Sequence, residues 1–240
     1  MTAERETGDP EPRDFVKYTF FGLDPLWRRG SFETRRAGRQ ELAALLGRPT
    51  PGLALRTYSL VGTKAATDSL VWAIGERLEP IQELHARIAG TSMGGSMEVV
   101  HSYLGMGRRS EYVTEHAHAG QEGSRGRRRA VGRPYLFVYP FVKKREWYGL
   151  PFDERRRIMG EHFRIGHRFP NVDIHTGYSF GLDDSEFILG FEADSPAEFL
   201  DLVEALRGTE ASRYTALETP IFTCRRVDPV TMLELADGVV

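Results

Sequence analysis

The segment Tyr135-Leu136-Phe137-Val138-Tyr139-Pro140-Phe141-Val142-Lys143 reads as a β-strand that is apolar on both faces. A strand of this kind is covered on both sides, as expected if helices cover one face and a pocket the other. Alternate residues share a face, which points Tyr139, Phe141 and Lys143 in one direction. Downstream, Asp153 to Phe169 carries helical apolar spacing, and Ile174 to Phe180 with Glu186 to Phe191 reads as a hairpin. Ser195-Pro196 opens a helix that runs to Leu206, with serine as the cap and proline as the first helical residue. Thr219 to Arg226 closes the unit as a strand, giving the order βαββαβ.

The same order can be read upstream. Phe15 to Leu23 is a strand, Arg35 to Leu46 a helix, and Leu53 to Val61 with Ser69 to Ile74 a hairpin. Pro80 to Ile88 is a helix and Glu98 to Met106 a strand. Asp68-Ser69 recurs as Asp184-Ser185, Pro80 as Pro196 and Leu84 as Leu200, all at an offset of 116 residues. Three matches at one offset predict a duplication. The expected fold is α+β: two ferredoxin-like βαββαβ repeats in one chain, closed into a dimeric α+β barrel with helices outside. The expected organisation is a disordered segment over 1–12, an N-terminal half over 13–106, a linking loop over 107–133, and a C-terminal half over 134–240 carrying the functional site. The loop is rich in Gly, Arg and His, and long loops in compact domains are usually functional or disordered.

Composition excludes more than it selects. The 240 residues have a net charge of -2, with 40% hydrophobic and 28% charged residues, as in ordinary soluble globular proteins. That charge gives no whole-chain argument for nucleic acid or a membrane surface. Cys224 is the only cysteine, which rules out an internal disulfide and a cysteine-based zinc site. No apolar run approaches the roughly 20 residues needed to cross a bilayer, and Met1 to Pro12 lacks the apolar segment of a secretory signal. A soluble cytoplasmic protein is expected. There is no Walker loop, no Gly-x-Ser-x-Gly elbow, and no aromatic pattern of an RNA-binding sheet.

His162 lies on the apolar stripe of its helix with Ile158, Met159, Ile165, Gly166 and Phe169. A histidine there is either a core residue satisfied by a backbone carbonyl or an axial ligand of the kind a haem iron takes. Gly166, one turn on, leaves room for a flat ligand or another backbone. An oxidisable phenol (Tyr139), an ammonium (Lys143) and an imidazole (His162) together suit a porphyrin. The loop adds His116, His118 and Arg125, Arg127, Arg128 and Arg129; arginine is the preferred partner of carboxylates. A non-haem metal site built from these histidines has no carboxylate-rich ligand spacing to support it.

Tyr139-Pro140-Phe141-Val142-Lys143, Glu146-Trp147-Tyr148, Leu150-Pro151-Phe152-Asp153-Glu154-Arg155-Arg156, Glu161-His162-Phe163-Arg164-Ile165-Gly166 and Ser179-Phe180-Gly181-Leu182-Asp183-Asp184 occur in this order. In these motifs the chain resembles the chlorite dismutase family, and most of all its coproheme decarboxylase branch in the actinobacterial form. The resemblance implies peroxide-dependent loss of two propionate carboxylates from iron coproporphyrin III (coproheme), which acts as its own redox cofactor and becomes haem b. It implies His162 as the iron's axial ligand, Tyr139 as the radical-forming tyrosine, and Lys143, Phe141, Arg207 and Ser212 as contacts to substrate. It also implies Glu210 as the carboxylate that hydrogen-bonds the axial histidine in the chlorite-degrading branch. The resemblance implies His116, or else His118, as the distal base that deprotonates peroxide. His175 stands thirteen residues beyond His162, where chlorite-degrading members carry an arginine, and is expected on the distal side. The resemblance further implies a homopentamer and a transient contact with a ferrochelatase. The rival expectations are chlorite or peroxidase chemistry on the same fold, or a haem carrier or sensor without turnover; the Gly-x-x-Asp-Gly motif of dye-decolourising peroxidases is missing.

Overall fold

A computed structural model describes residues 13–108, 110–112 and 130–239. His116, His118, the arginines at 125, 127, 128 and 129, and the segment 1–12 lie outside the described residues. The chain forms β1 (Phe15–Leu23), α1 (Phe32–Gly47), β2 (Leu53–Ser59), β3 (Ser69–Gly75), α2 (Leu78–Ala89) and β4 (Met97–Met106). It then forms β5 (Tyr135–Lys143), a short α3 (Arg145–Gly149), α4 (Phe152–Gly166), β6 (Val172–Tyr178), β7 (Phe187–Ala193) and α5 (Pro196–Arg207). Finally come β8 (Thr215–Leu217), β9 (Phe222–Arg226) and α6 (Pro229–Asp237).

The strands hydrogen-bond in the order β7-β6-β4-β1-β3-β2-β9-β5, and β5 pairs again with β7, so the sheet closes into a barrel. Pairing is extensive within each repeat and thin between them. The seams are Met106 opposite Tyr178, and Tyr58 and Ser59 opposite Arg226 and Arg225. This is the α+β barrel of two ferredoxin-like repeats that the sequence predicts.

The repeat is real, but its offset differs from the sequence expectation. Strand β3 maps onto β7, and α2 onto α5, 118 residues on, so Ile81, Leu84 and Ile88 correspond to Phe199, Leu202 and Leu206. At the 116 offset Leu84, fully buried, would match Leu200, which is exposed. Identity of residue type was therefore a poorer guide than the buried stripe. For β1 with β5, and for the starts of α1 and α4, the offset is 120.

Alternation along β5 sorts the two faces. Leu136 and Val138 enter the barrel interior with Tyr18, Phe20, Tyr58, Trp72 and Phe222. Phe137 and Tyr139, with Phe141 partly buried, pack outside against Phe191, Phe199 and Leu202. The interior is tight: a Cβ added at Gly190 would stand 2.6 Å from the Tyr18 hydroxyl oxygen. The second half of the chain departs from expectation at two boundaries and in one whole helix. Helix α4 stops at Gly166, where a tight turn brings the Phe169 amide onto the Gly166 carbonyl at 3.0 Å. The last strand begins only at Phe222, after a cis Thr219-Pro220 bond. Helix α6 was not expected, although Asp228 caps it through the amides of Val230 and Thr231, Pro229 opens it, and Gly238 ends it at φ 74°.

Candidate functional site

The outer face of the second repeat, between β5–β7–β6 and the helices α4 and α5, is its chemically dense region. Helix α4 is highly charged and fully buries only Ile158. Its inward stripe carries Met159 and His162, both partly buried. No described residue hydrogen-bonds the His162 ring. Burial, and next the charge of Lys143, push its pKa down to about 4 from an ordinary 6.5, so the imidazole is neutral at physiological pH. A neutral imidazole with a free nitrogen lone pair is the state that binds a metal. A Cβ at Gly166 would meet no atom within 4 Å, so open space lies one turn along.

Lys143 ends β5. Its ammonium sits 4.5 Å from the Trp147 ring centre, 5.4 Å from that of Phe141, and donates to the Ala211 carbonyl at 3.2 Å. Burial pulls its pKa down to about 8, against a smaller opposing effect of Glu186. Glu186 fixes this corner: it accepts from the Lys143 amide at 2.8 Å and from the Tyr148 hydroxyl at 2.6 Å. Tyr139 is buried and stacks on Phe191 at 5.8 Å between ring centres. Burial first, then the charge of Glu218, raise its phenol pKa well above the ordinary value, and Arg207 opposes them. Arg207 ends α5 and ion-pairs with Glu218. The Ser212 hydroxyl donates to the carbonyls of Arg207 and Thr209, each at 2.8 Å.

His162 and Lys143 are thus electrostatic neighbours, and Tyr139 shares a second group with Arg207 and Glu218. Around them, Phe141, Phe169, Ile174, Leu189, Val203 and Leu206 are only partly buried. A half-covered apolar face with a neutral imidazole and two cations suits a flat, apolar, metal-holding molecule with carboxylates at its edge. Two open cavities of about 570 and 420 Å³ lie elsewhere, one lined by Arg56, Gly132 and Arg226 and the other by Asp14, Gly75 and Pro80; neither carries a residue of this group.

Two expected placements are corrected. His175 is not on this face. It points into the barrel, where its Nε2 meets Glu192 Oε2 at 2.8 Å and its ring packs edge-on to Trp72 at 5.2 Å. Glu192 also accepts from the amides of Val131 and Gly132, each at 2.7 Å. Burial alone would raise its pKa, but these bonds outweigh it and hold the carboxyl below the ordinary range. On β6 the outward residues are Val172 and Ile174, both in the outer cluster, and by alternation Thr176 and Tyr178. Glu210 is not on His162 either; its carboxylate pairs with Arg157 at 2.9 Å, while its amide donates to Glu161 at 3.2 Å. Trp147, Glu186 and Glu218 were missed as site residues. Trp147 and Glu218 flank the cationic groups; Trp147 lies in the Glu146-Trp147-Tyr148 motif, whereas no local pattern marks Glu218. Among the described residues, no group of three or more His, Cys, Asp or Glu is placed to hold a metal ion, so an iron here would rely on His162 and its own ring.

The chlorite dismutase family signature matches residues 35–227. The chain belongs to the chlorite dismutase family. Among its relatives, a coproheme decarboxylase of Mycolicibacterium smegmatis is 34% identical over 171 residues, 71% of each chain. A putative heme-binding protein of Natronomonas pharaonis is 27% identical over 74% of this chain, which spans only 32% of that longer protein. Crystal structures of chlorite dismutase variants from Candidatus Nitrospira defluvii superpose with TM-scores up to 0.84 at 22% identity, covering 93% of this chain and 95% of theirs. These structures establish the family fold for this chain. Among the described residues, no helix is long and apolar enough to cross a membrane.

Proposed function

We propose that this protein is a peroxide-dependent coproheme decarboxylase, converting two propionates of iron coproporphyrin III to the vinyl groups of haem b. The observation that carries the proposal is the neutral His162, whose ring no described residue hydrogen-bonds, beside the desolvated Lys143 on a half-covered apolar face. The Mycolicibacterium smegmatis relative, which carries this activity in its name, supports the choice of substrate.

When bound, the iron porphyrin supplies with peroxide the oxidising power. For each propionic acid side chain, one hydrogen peroxide is reduced to two waters while a vinyl group and carbon dioxide form. His162 holds the iron. Its depressed pKa means no proton need be displaced for that at neutral pH. Lys143 and Arg207 bind propionates by charge-assisted hydrogen bonds, Ser212 fixes the backbone behind Arg207, and Phe141 supports the ring. Burial keeps the Tyr139 phenol protonated, so its hydroxyl hydrogen is available for removal. The oxidised Tyr139 would then take a hydrogen from the propionate β-carbon. His116, or else His118, is assigned by family resemblance to deprotonate peroxide.

Incubation with iron coproporphyrin and hydrogen peroxide, followed by mass analysis, should show two successive losses of the elements of formic acid per porphyrin. Full retention of four carboxylates by a loaded protein would sink the proposal. Oxygen release from chlorite without porphyrin mass loss would select chlorite chemistry instead. The relatives named as heme-binding proteins favour a second reading, a haem carrier; unchanged porphyrin mass with tight, stable binding would select it.

A further inference from the structure

The fold contains two kinds of arginine–carboxylate contact, and the difference points to a device at the proposed substrate site. Arg35 and Arg39 grip Asp237, whose side chain is 0% exposed, and so tie α1 to α6. Removing a partner from such a buried pair leaves an uncompensated charge, so the contact is costly to break. The Arg207–Glu218 pair has side chains 51% and 22% exposed. Exposed pairs contribute little and exchange partners readily.

The placement of this pair is specific. Glu218 follows β8, whose Thr215 and Leu217 pair with Lys143 and Val142, so the carboxylate emerges beside the end of β5. Arg207 reaches the same spot from the end of α5, with its carbonyl held by the Ser212 hydroxyl. Both charges act on the buried Tyr139 hydroxyl, Glu218 raising its pKa and Arg207 lowering it. No other carboxylate ion-pairs with Arg207 among the described residues. The arginine is therefore held from behind and met in front by a carboxylate that solvent can reach.

We propose that Glu218 is a built-in stand-in for a substrate carboxylate, occupying Arg207 in the ligand-free protein and yielding it to an incoming propionate. This inference rests on the proposed porphyrin function and adds a residue that tunes it. Glu218 lowers affinity for carboxylate-bearing porphyrins, which must displace it from Arg207, and leaves porphyrins that offer no carboxylate there unaffected. A residue that merely orients Arg207 would act oppositely, since its loss would weaken binding.

Optical titration of the full chain separates these cases. Glu218→Gln should tighten iron coproporphyrin binding about two- to fivefold, the scale of an exposed ion pair, and leave binding of iron octaethylporphyrin, which has no carboxylates, unchanged. Arg207→Ala should weaken coproporphyrin binding and cancel the gain from Glu218→Gln in the double variant. Glu218→Ala serves as a second variant should the amide fold poorly. Wild-type protein that binds coproporphyrin with an affinity that both Glu218 variants leave unchanged or weaken overturns this inference alone. Wild-type protein that binds no iron porphyrin overturns the proposed function and this inference with it.

Discussion

The two repeats share a chain path and treat the outer faces of their sheets differently. In the first repeat, Phe21, Leu23 and Val71 are sealed under α1 and α2, and α6 adds Met232, Leu233 and Ala236, all buried. In the second, α4 and α5 cover a face on which Phe141, Ile174, Leu189 and Leu206 remain partly exposed. Position by position the contrast is chemical. At the 120-residue offset, Leu42 stands where His162 stands, Leu23 where Lys143 stands, and Thr19 where Tyr139 stands. Leu42 and Leu23 are core residues, and Thr19 bonds His85 at 2.7 Å. One repeat spends its outer face on stability; the other keeps it open, with an imidazole, an ammonium and a phenol in the places of two leucines and a threonine.

The equivalent pair Ile88 and Leu206 tests this directly. Ile88→Ala opens a cavity in a filled core and should cost about 2–5 kcal/mol in urea unfolding, whereas Leu206→Ala should cost below about 1.5 kcal/mol in the ligand-free protein. Equal losses would break the comparison. The next effect is chemical. Tyr139→Phe removes the phenolic hydroxyl, and should lower decarboxylation on the order of 100-fold or more while iron coproporphyrin affinity stays within about twofold. A variant with near wild-type turnover would remove Tyr139 from the chemistry.

The barrel was legible because alternation on β5 and the helical stripes on α2 and α5 are local patterns that tertiary packing only confirms. The face of His175 was not legible from counting. In a strand, one residue's difference exchanges inside for outside, and a position thirteen residues past His162 falls on the inner side once the turn after α4 is built. Helix α6 carried its signals openly, with Asp228-Pro229 at its start and Gly238 at its end, but it lies outside the repeated unit and so outside the expectation that the duplication set up. Glu186 and Glu218 had no local signal at all. Each acquires its role from a partner across the fold, Lys143 and Arg207 respectively.

His162 extends the comparison into pH dependence. Its folded pKa of about 4 lies below its ordinary 6.5, so between those values the unfolded chain binds more protons than the folded one. Stability is therefore lost as pH falls through this window. His162→Leu installs the residue type of the closed repeat and removes the titration. The ligand-free wild type should lose on the order of 1–3 kcal/mol more than this variant between pH 7 and pH 4 in denaturant titrations, the lower end reflecting partial solvent access. Parallel stability curves for the two proteins would place the imidazole in water instead.

Lys143 gives the smallest and most site-specific effect. With a ligand-free pKa of about 8, its charge is present at pH 7 and mostly lost by pH 9. A bound carboxylate favours the charged form, so affinity for iron coproporphyrin should fall a few-fold across this interval, as an ion pair at a partly wet site allows. The depressed His162 pKa predicts no matching change between pH 7 and pH 5, because no proton then competes for the imidazole. Lys143→Met should bind more weakly at pH 7 and lose the alkaline slope, and iron octaethylporphyrin should show no slope with either protein. An alkaline slope that survives in Lys143→Met would assign it to another cation. The closed repeat has only Leu23 at the matching position, so the ammonium belongs to what the second repeat gained by staying open.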